Sequence, residues 1–194
     1  MGNAFIFDEK EKDKLLKERN GVDPLDVTKP YWARTKGKDT VTQMQYLDIN
    51  VWMVHDILLK ADKMSMANSL EVRVPFLDKE VFEVASRIPR QYKVEGEVTK
   101  RAFRKTALEV LPEKVADKKK LGFPVPIRVW IREDKYYNRI KEAFTSKEAA
   151  QFFDTEYLVK LLEQHKAEKF DNSRKIWTVF MFLLWYNEYF VKRA

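Results

Sequence analysis

Residues 58–78 read LLKADKMSMANSLEVRVPFLD. By pattern, a helix ends inside this stretch, an irregular segment follows, and Asp78 opens the next helix as its N-cap. Glu71 and Arg73 stand two residues apart. In an extended run both point to one side, between Leu70, Val72 and Val74. A carboxylate and a guanidinium in apolar surroundings must pair or meet a charged ligand, because leaving either unpaired is costly. A structural ion pair that pins a loop is the plainer of those two readings.

Upstream, Leu47, Val51, Val54 and Leu58 recur at helical spacing, which predicts one helix face from Gln45 to Lys60 or Ala61. Earlier still, residues 8–19 read as a charged helix stopped by Asn20-Gly21. Residues 22–42 read as a loop punctuated by Pro24, Pro30 and Gly37. Downstream of Asp78 the pattern predicts a helix to Ile88, with Val81, Phe82, Ala85 and Ile88 turned inward and Pro89 ending it. A turn or short hairpin follows around Gly96. Thr99 then caps a helix with Ala102, Phe103, Ala107 and Val110 as its apolar face, stopped by Pro112, with a short turn after it. Residues 118–126 form a loop, since Gly122, Pro124 and Pro126 do not fit one helix. A helix over 127–144 comes next, and Ser146 or Lys147 begins a short one in which Phe152 and Phe153 pack. Thr155 caps 156–169, and Asn172 or Ser173 caps the last helix. Trp177, Phe180 and Leu184 read as core, His55 as interfacial, and His165 as lying near a helix C-terminus. The class is mainly α, divided into 1–44 (N-terminal helix and connecting loop) and 45–194 (a helical region).

Composition narrows the chemistry. The 194 residues are 45% hydrophobic and 13% aromatic, enough for a core, and 35% charged. There is no cysteine, which excludes disulfides, thiolate metal sites and cysteine nucleophiles, and there are only 2 histidines. The net charge of +7 comes from bases interspersed with acids, which argues against a nucleic-acid stripe. The stretch 176–190 is too short and too interrupted to span a bilayer, and no leader motif is visible at the start. A cytoplasmic protein with no membrane or nucleic-acid partner is expected. The glycines at 2, 21, 37, 96 and 122 never cluster, so no phosphate cradle or nucleophile elbow exists. A piece of an enzyme, or a helical interaction module, fits this inventory better than a complete enzyme.

The 58–78 stretch resembles the signature of the C-terminal part of glutamine-dependent asparagine synthetases. Gly96, Glu97, Val98, Thr99 and Lys100, leading to Phe103-Arg104 and Leu111-Pro112, resemble a second run of that family. Lys118 to Pro126 with Trp130 resembles its K.GF..P…W loop. The three occur in the family's order, and the likeness is strongest over about residues 45 to 131.

The resemblance implies the helical C-terminal portion of an ATP-pyrophosphatase-type (adenine nucleotide α-hydrolase-like) α/β synthetase domain. A full enzyme of that kind makes asparagine from aspartate, ATP and glutamine-derived ammonia through a β-aspartyl-adenylate, with magnesium accompanying ATP. The family's glutaminase cysteine and SGGxDS pyrophosphate loop are not in this sequence. The chain is therefore expected to lack the glutaminase domain and the ATP-binding core, to be inactive alone, and to hold no cofactor itself. It is also expected to expose apolar patches through which it self-associates. Catalytic positions carried over are Lys120, for transition-state charge, and Glu71, in a positioning role. Lys100, Arg73 and Asp62 are carried over as substrate or phosphate contacts. Pro124 stands where the family commonly has glycine. Alternatives are a relative forming a β-lactam or cyclic peptide, or a non-catalytic helical interaction module.

Overall fold

Among the described residues, five aspartates begin helices. The computed structural model describes residues 5–19, 21–118 and 125–192. In it, the carboxylates of Asp8, Asp23, Asp39, Asp78 and Asp154 accept first-turn N–H groups at 2.8 to 3.1 Å. Each satisfies a donor that an α-helix leaves without an internal partner. At Asp8 the bond is reciprocal, with Glu11 accepting from the Asp8 N–H.

The helices are α1 (Glu9–Leu15), α2 (Pro24–Arg34), α3 (Thr40–Leu47), α4 (Leu59–Met66), α5 (Lys79–Arg87), α6 (Arg90–Lys93), α7 (Arg101–Val110) and α8 (Glu113–Ala116). After them come α9 (Ile127–Trp130), α10 (Asp134–Phe144), α11 (Ala149–Phe152), α12 (Thr155–Lys166) and α13 (Ser173–Tyr186). Between α6 and α7 lies a two-stranded antiparallel hairpin, β1 (Val94–Glu95) and β2 (Val98–Thr99), with Val94 opposite Thr99. Gly96 turns it with φ +57°, a value that glycine adopts freely. The chain is mainly helical, as its pattern predicts.

Several boundaries differ from the sequence reading. The segment 22–42 is no loop: α2 occupies most of it, with Pro24 at its first turn, where proline is welcome, and Pro30 inside it. The helix expected from Gln45 starts at Thr40 and continues, through π-helical winding over Asp48–Leu58, to Met66. The wider winding carries Val54 off the expected face and leaves it exposed. Thr99 belongs to β2, and Lys100 takes the N-cap position of α7. The helix over 127–144 breaks between α9 and α10, Asp154 caps α12 in place of Thr155, and α12 stops at Lys166. Asn172 holds the N-cap position of α13 without a side-chain cap bond; it donates instead to the Leu161 carbonyl at 3.0 Å.

The chain divides into two compact units, Val22–Leu121 and a terminal unit of Met1–Gly21 with Gly122–Ala194. The terminal unit has a packed core of Ile131, Ile140, Phe144, Leu158, Leu162 and Ile176, joined by Val179, Phe180 and Leu183. Leu15 of α1 is part of it. Backbone bonds hold α1 in place: Lys17 N–H to the Phe152 carbonyl at 3.0 Å, and Asp154 N–H to the Leu15 carbonyl at 2.8 Å. Phe152, Phe153, Phe182 and Tyr186 form an edge-to-face cluster with centroids 4.9 to 5.5 Å apart. Trp177 remains 40% exposed, whereas Phe180 is buried as expected.

The Val22–Leu121 unit is built differently. Gln43 of α3 donates to the Thr35 carbonyl after α2 at 3.0 Å, and Tyr31 meets Tyr46 at 6.5 Å. Yet among its described apolar side chains only Ala107 and Ala116 are buried. Val81, Phe82, Phe103 and Val110, expected to face inward, are all exposed. The helices form, but no layer of the unit's described residues covers their apolar faces.

Candidate functional site

The signature segment begins on α4. Asp62 is exposed, and its backbone carbonyl accepts from the Ser65 hydroxyl at 3.1 Å. One turn before α4, Asp56 bonds Lys60 at 3.0 Å and the Trp52 indole N–H at 3.0 Å; these two donors, Lys60 foremost, hold its carboxyl below the usual range. The helix stops at Ser69, whose φ is +54°, and Leu70 N–H closes back on the Ser65 carbonyl at 3.0 Å. That 6→1 closure is the helix stop usually made with glycine.

From this stop the chain runs extended. Glu71 and Arg73 form an ion pair with each other, as their spacing predicts. The surroundings differ from the expectation. Leu70, Val72 and Val74 are themselves exposed, and the side chains of Arg73 and Glu71 are 85% and 71% accessible. The pair therefore does not depend on burial within this chain, and in water such a pair contributes little by itself. A 3₁₀ turn, Pro75–Leu77, leads to the Asp78 cap.

Lys100 enters through the neighbouring helix. Phe76 of the 3₁₀ turn packs edge-to-face on Phe103 of α7, with centroids 5.3 Å apart. This contact ties the Glu71–Arg73 segment to the helix that Lys100 heads. Lys100 has φ +57° and ψ +35° and makes no side-chain cap bond. Among the described residues its ammonium forms no ion pair. Its neighbours differ: Arg101 bonds the Gln91 carbonyl at 3.0 Å and pairs with Glu95 at 3.0 Å, and Arg104 lies 3.9 Å from Asp117. A cation at the positive end of a helix is unfavourable unless an anion joins it.

Lys120, Gly122 and Pro124 lie outside the described residues. Of the 118–126 segment, Lys118 is exposed, and Val125 and Pro126 lead directly into α9. The structure thus joins Glu71 to Arg73 and links their segment to the helix of Lys100, while Asp62 lies on the helix before them. Among the described residues, no cluster of carboxylates and histidines could hold a metal ion. The described residues do not fit a magnesium site.

His165 was legible only as a residue near a helix end. It is fully buried: its Nε2 lies 2.9 Å from the Arg128 carbonyl and its Nδ1 3.4 Å from the Phe170 carbonyl. Helical spacing does not reveal acceptors 37 residues away.

The asparagine synthase family matches residues 4–187. The chain is 47% identical, over its whole length, to asparagine synthetase 1 (glutamine-hydrolyzing) of Bacillus subtilis, and covers 30% of that protein. A Mycobacterium tuberculosis protein assigned as a glutamine-hydrolyzing asparagine synthetase is 44% identical over 95% of the chain, which covers 28% of it. Asparagine synthetase 3 of B. subtilis is 37% identical over 42% of the chain, which covers 13% of it. No solved structure matches. The chain belongs to the asparagine synthase family, and it spans less than a third of the length of these relatives.

Proposed function

We propose that this chain is the C-terminal part of a glutamine-hydrolyzing asparagine synthetase. The whole protein joins ammonia from glutamine to the β-carboxyl of aspartate. ATP first converts that carboxylate to a β-aspartyl-adenylate with loss of pyrophosphate, and ammonia then displaces AMP. The observation that carries this reading is the family match along the chain, together with a unit whose helices are formed but whose apolar faces have nothing over them. An ATP-pyrophosphatase-type α/β core and a glutaminase domain, supplied by the rest of such a polypeptide, would cover them. The names of the relatives favour aspartate over β-lactam or cyclic-peptide substrates.

In this reading the chain furnishes cationic side chains. Adenylate formation concentrates negative charge on the transferring phosphorus and the departing pyrophosphate, and amide formation passes through an oxyanion. Lys120 and Lys100 stabilise that charge. Arg73, braced by Glu71, takes a carboxylate or phosphate oxygen, and Asp62 contacts substrate from the preceding helix. Magnesium arrives with the nucleotide. This chain binds no cofactor and is inactive alone. The enzyme acts in the cytoplasm, and among the described residues no helix is long and apolar enough to cross a membrane. Separated from its remainder, the chain self-associates through the exposed faces.

The test uses the whole-length enzyme. Lys120→Ala is expected to lower turnover by roughly 100-fold or more while changing the KM for ATP by less than about threefold, the pattern of an interaction made only in the transition state. Unchanged turnover would remove Lys120 from the site.

A further inference from the structure

The terminal unit contains a buried titratable side chain that the proposed chemistry does not use. His165 sits at the C-terminal end of α12 with no solvent exposure, among the core leucines of that helix. Among the described residues, the polar partners of its ring are oxygen acceptors. The Arg128 carbonyl lies 2.9 Å from Nε2, and on the other side the Phe170 carbonyl and the Asp171 carboxylate lie 3.4 and 3.7 Å from Nδ1. A carbonyl has no proton to give, so either ring nitrogen bonds one only by donating; the shorter contact, 2.9 Å against 3.4 Å, assigns the N–H to Nε2, which donates to the Arg128 carbonyl. The same residue is gripped from the other direction: Arg132 donates from Nε to the His165 carbonyl at 3.2 Å and pairs with Glu168 at 3.1 Å.

Both grips act on one short element. α9 has only four residues, too few to hold itself together. It is the first helix after the 118–126 segment, and Val125 and Pro126 run straight into it, with Ile127 N–H closing on the Val125 carbonyl at 2.8 Å. Arg128 is on α9 and Arg132 lies two residues past its end. Ile127 and Ile131 anchor it to the core by apolar contact. Apolar contact is non-directional, whereas the His165 bond to the Arg128 carbonyl fixes both the rotation and the axial position of the helix.

We propose that His165 is a positioning residue: its Nε2–H bond to the Arg128 carbonyl sets α9, and with it Val125 and Pro126, the described end of the segment that carries Lys120. The role of that segment in amide formation rests on the function proposed above; the fixing of α9 does not. The donor ring is fully buried, so losing the bond removes a partner from the Arg128 carbonyl on its inward side.

Hydrogen–deuterium exchange on the 194-residue chain tests the structural half. In the unaltered chain, the amides of 127–131 are expected to exchange as slowly as those of α12 and α13, opening only with the unit as a whole. Two variants isolate the bond. The Gln side chain in His165→Gln reaches far enough to donate to Arg128, and the Asn side chain in His165→Asn does not. Exchange over 125–131 is expected to rise at least tenfold in His165→Asn relative to α13, and to stay within about threefold of the parent in His165→Gln. Equal exchange in the two variants, or fast exchange of α9 in the unaltered chain, overturns the proposal; the second reading needs no variant to fold. In the whole-length enzyme, His165→Asn should lower kcat at unchanged KM for ATP and aspartate, with His165→Gln restoring it. If exchange behaves as stated and kcat does not move, the clamp stands and the reading of 118–126 as the reaction segment fails.

Discussion

Lys100 carries two costs at one residue: a left-handed backbone in a side chain that disfavours it, and a positive charge at the positive end of α7. Lys100→Gly removes both. It is expected to stabilise the folded chain by about 1 kcal/mol in a denaturant melt. In the whole-length enzyme the same change should lower kcat/KM for ATP by at least about tenfold, since the ammonium is the proposed phosphate contact. Gains in stability and activity together would show that the strain serves no function. Three ion-paired carboxylates of the terminal unit respond to acid. Glu163, accepting from Tyr137 and Lys141, and Asp134, bonded to Lys166, both titrate below the ordinary carboxylate range, and Glu9, held by Lys12 and then Arg19, is lowered to about 2. Burial first, and Glu163 second, push the Tyr137 hydroxyl upward. Depressed folded values mean that the unfolded chain binds protons first, so the stabilisation is complete above the unfolded range and lost as pH falls. Any fall in Tm on acidification is therefore expected between pH 4.5 and about 2, the span over which Glu9 is displaced, and is expected to be small, because the Glu9 and Asp134 side chains are 69% and 87% exposed. Glu163→Gln should flatten part of that drop in a pH series of melts.

At the scale of elements, helix starts are legible at residues 8 and 78 but not at Asp23, Asp39 or Asp154, where the pattern points instead to a loop, to Gln45 and to Thr155. Asp8 and Asp78 announce their helices because a short side chain with an acceptor meets free N–H groups only there. Asp8→Ala should cost about 1 kcal/mol, read as a lower urea midpoint for the terminal unit. Proline was the misleading signal. By pattern Pro24 punctuates a loop, although a first-turn proline costs a helix nothing, and Pro30 persists inside α2 despite the bond it removes. The Glu71–Arg73 pair was readable from spacing, because alternate residues of an extended run share a side. The link from that pair to α7 was not, since an edge-to-face contact between Phe76 and Phe103 depends on how two helices turn back on each other. His165 escaped for the same reason, as its partner is a main-chain carbonyl that no side-chain pattern marks.

The two units contrast most clearly at the scale of the whole molecule. Helical periodicity told which residues share an apolar face, but not whether the surface that covers the face belongs to the same chain. In the terminal unit the cover is present: Phe144 is fully buried, and Phe144→Ala should cost about 3–5 kcal/mol, read in its denaturant melt. In the Val22–Leu121 unit it is not. Phe76 is 67% exposed, so Phe76→Ala should change the melt of this chain by less than about 1 kcal/mol while impairing assembly with the remainder of the enzyme. The central claim is that these helices serve a reaction whose nucleotide-binding part lies in other polypeptide. Aspartate-dependent ATP–pyrophosphate exchange tests it, measured for this chain alone, for the separately produced remainder, and for the two combined. The account predicts no exchange from either part and exchange from the mixture; exchange by this chain alone, or full exchange by the remainder without it, would contradict it.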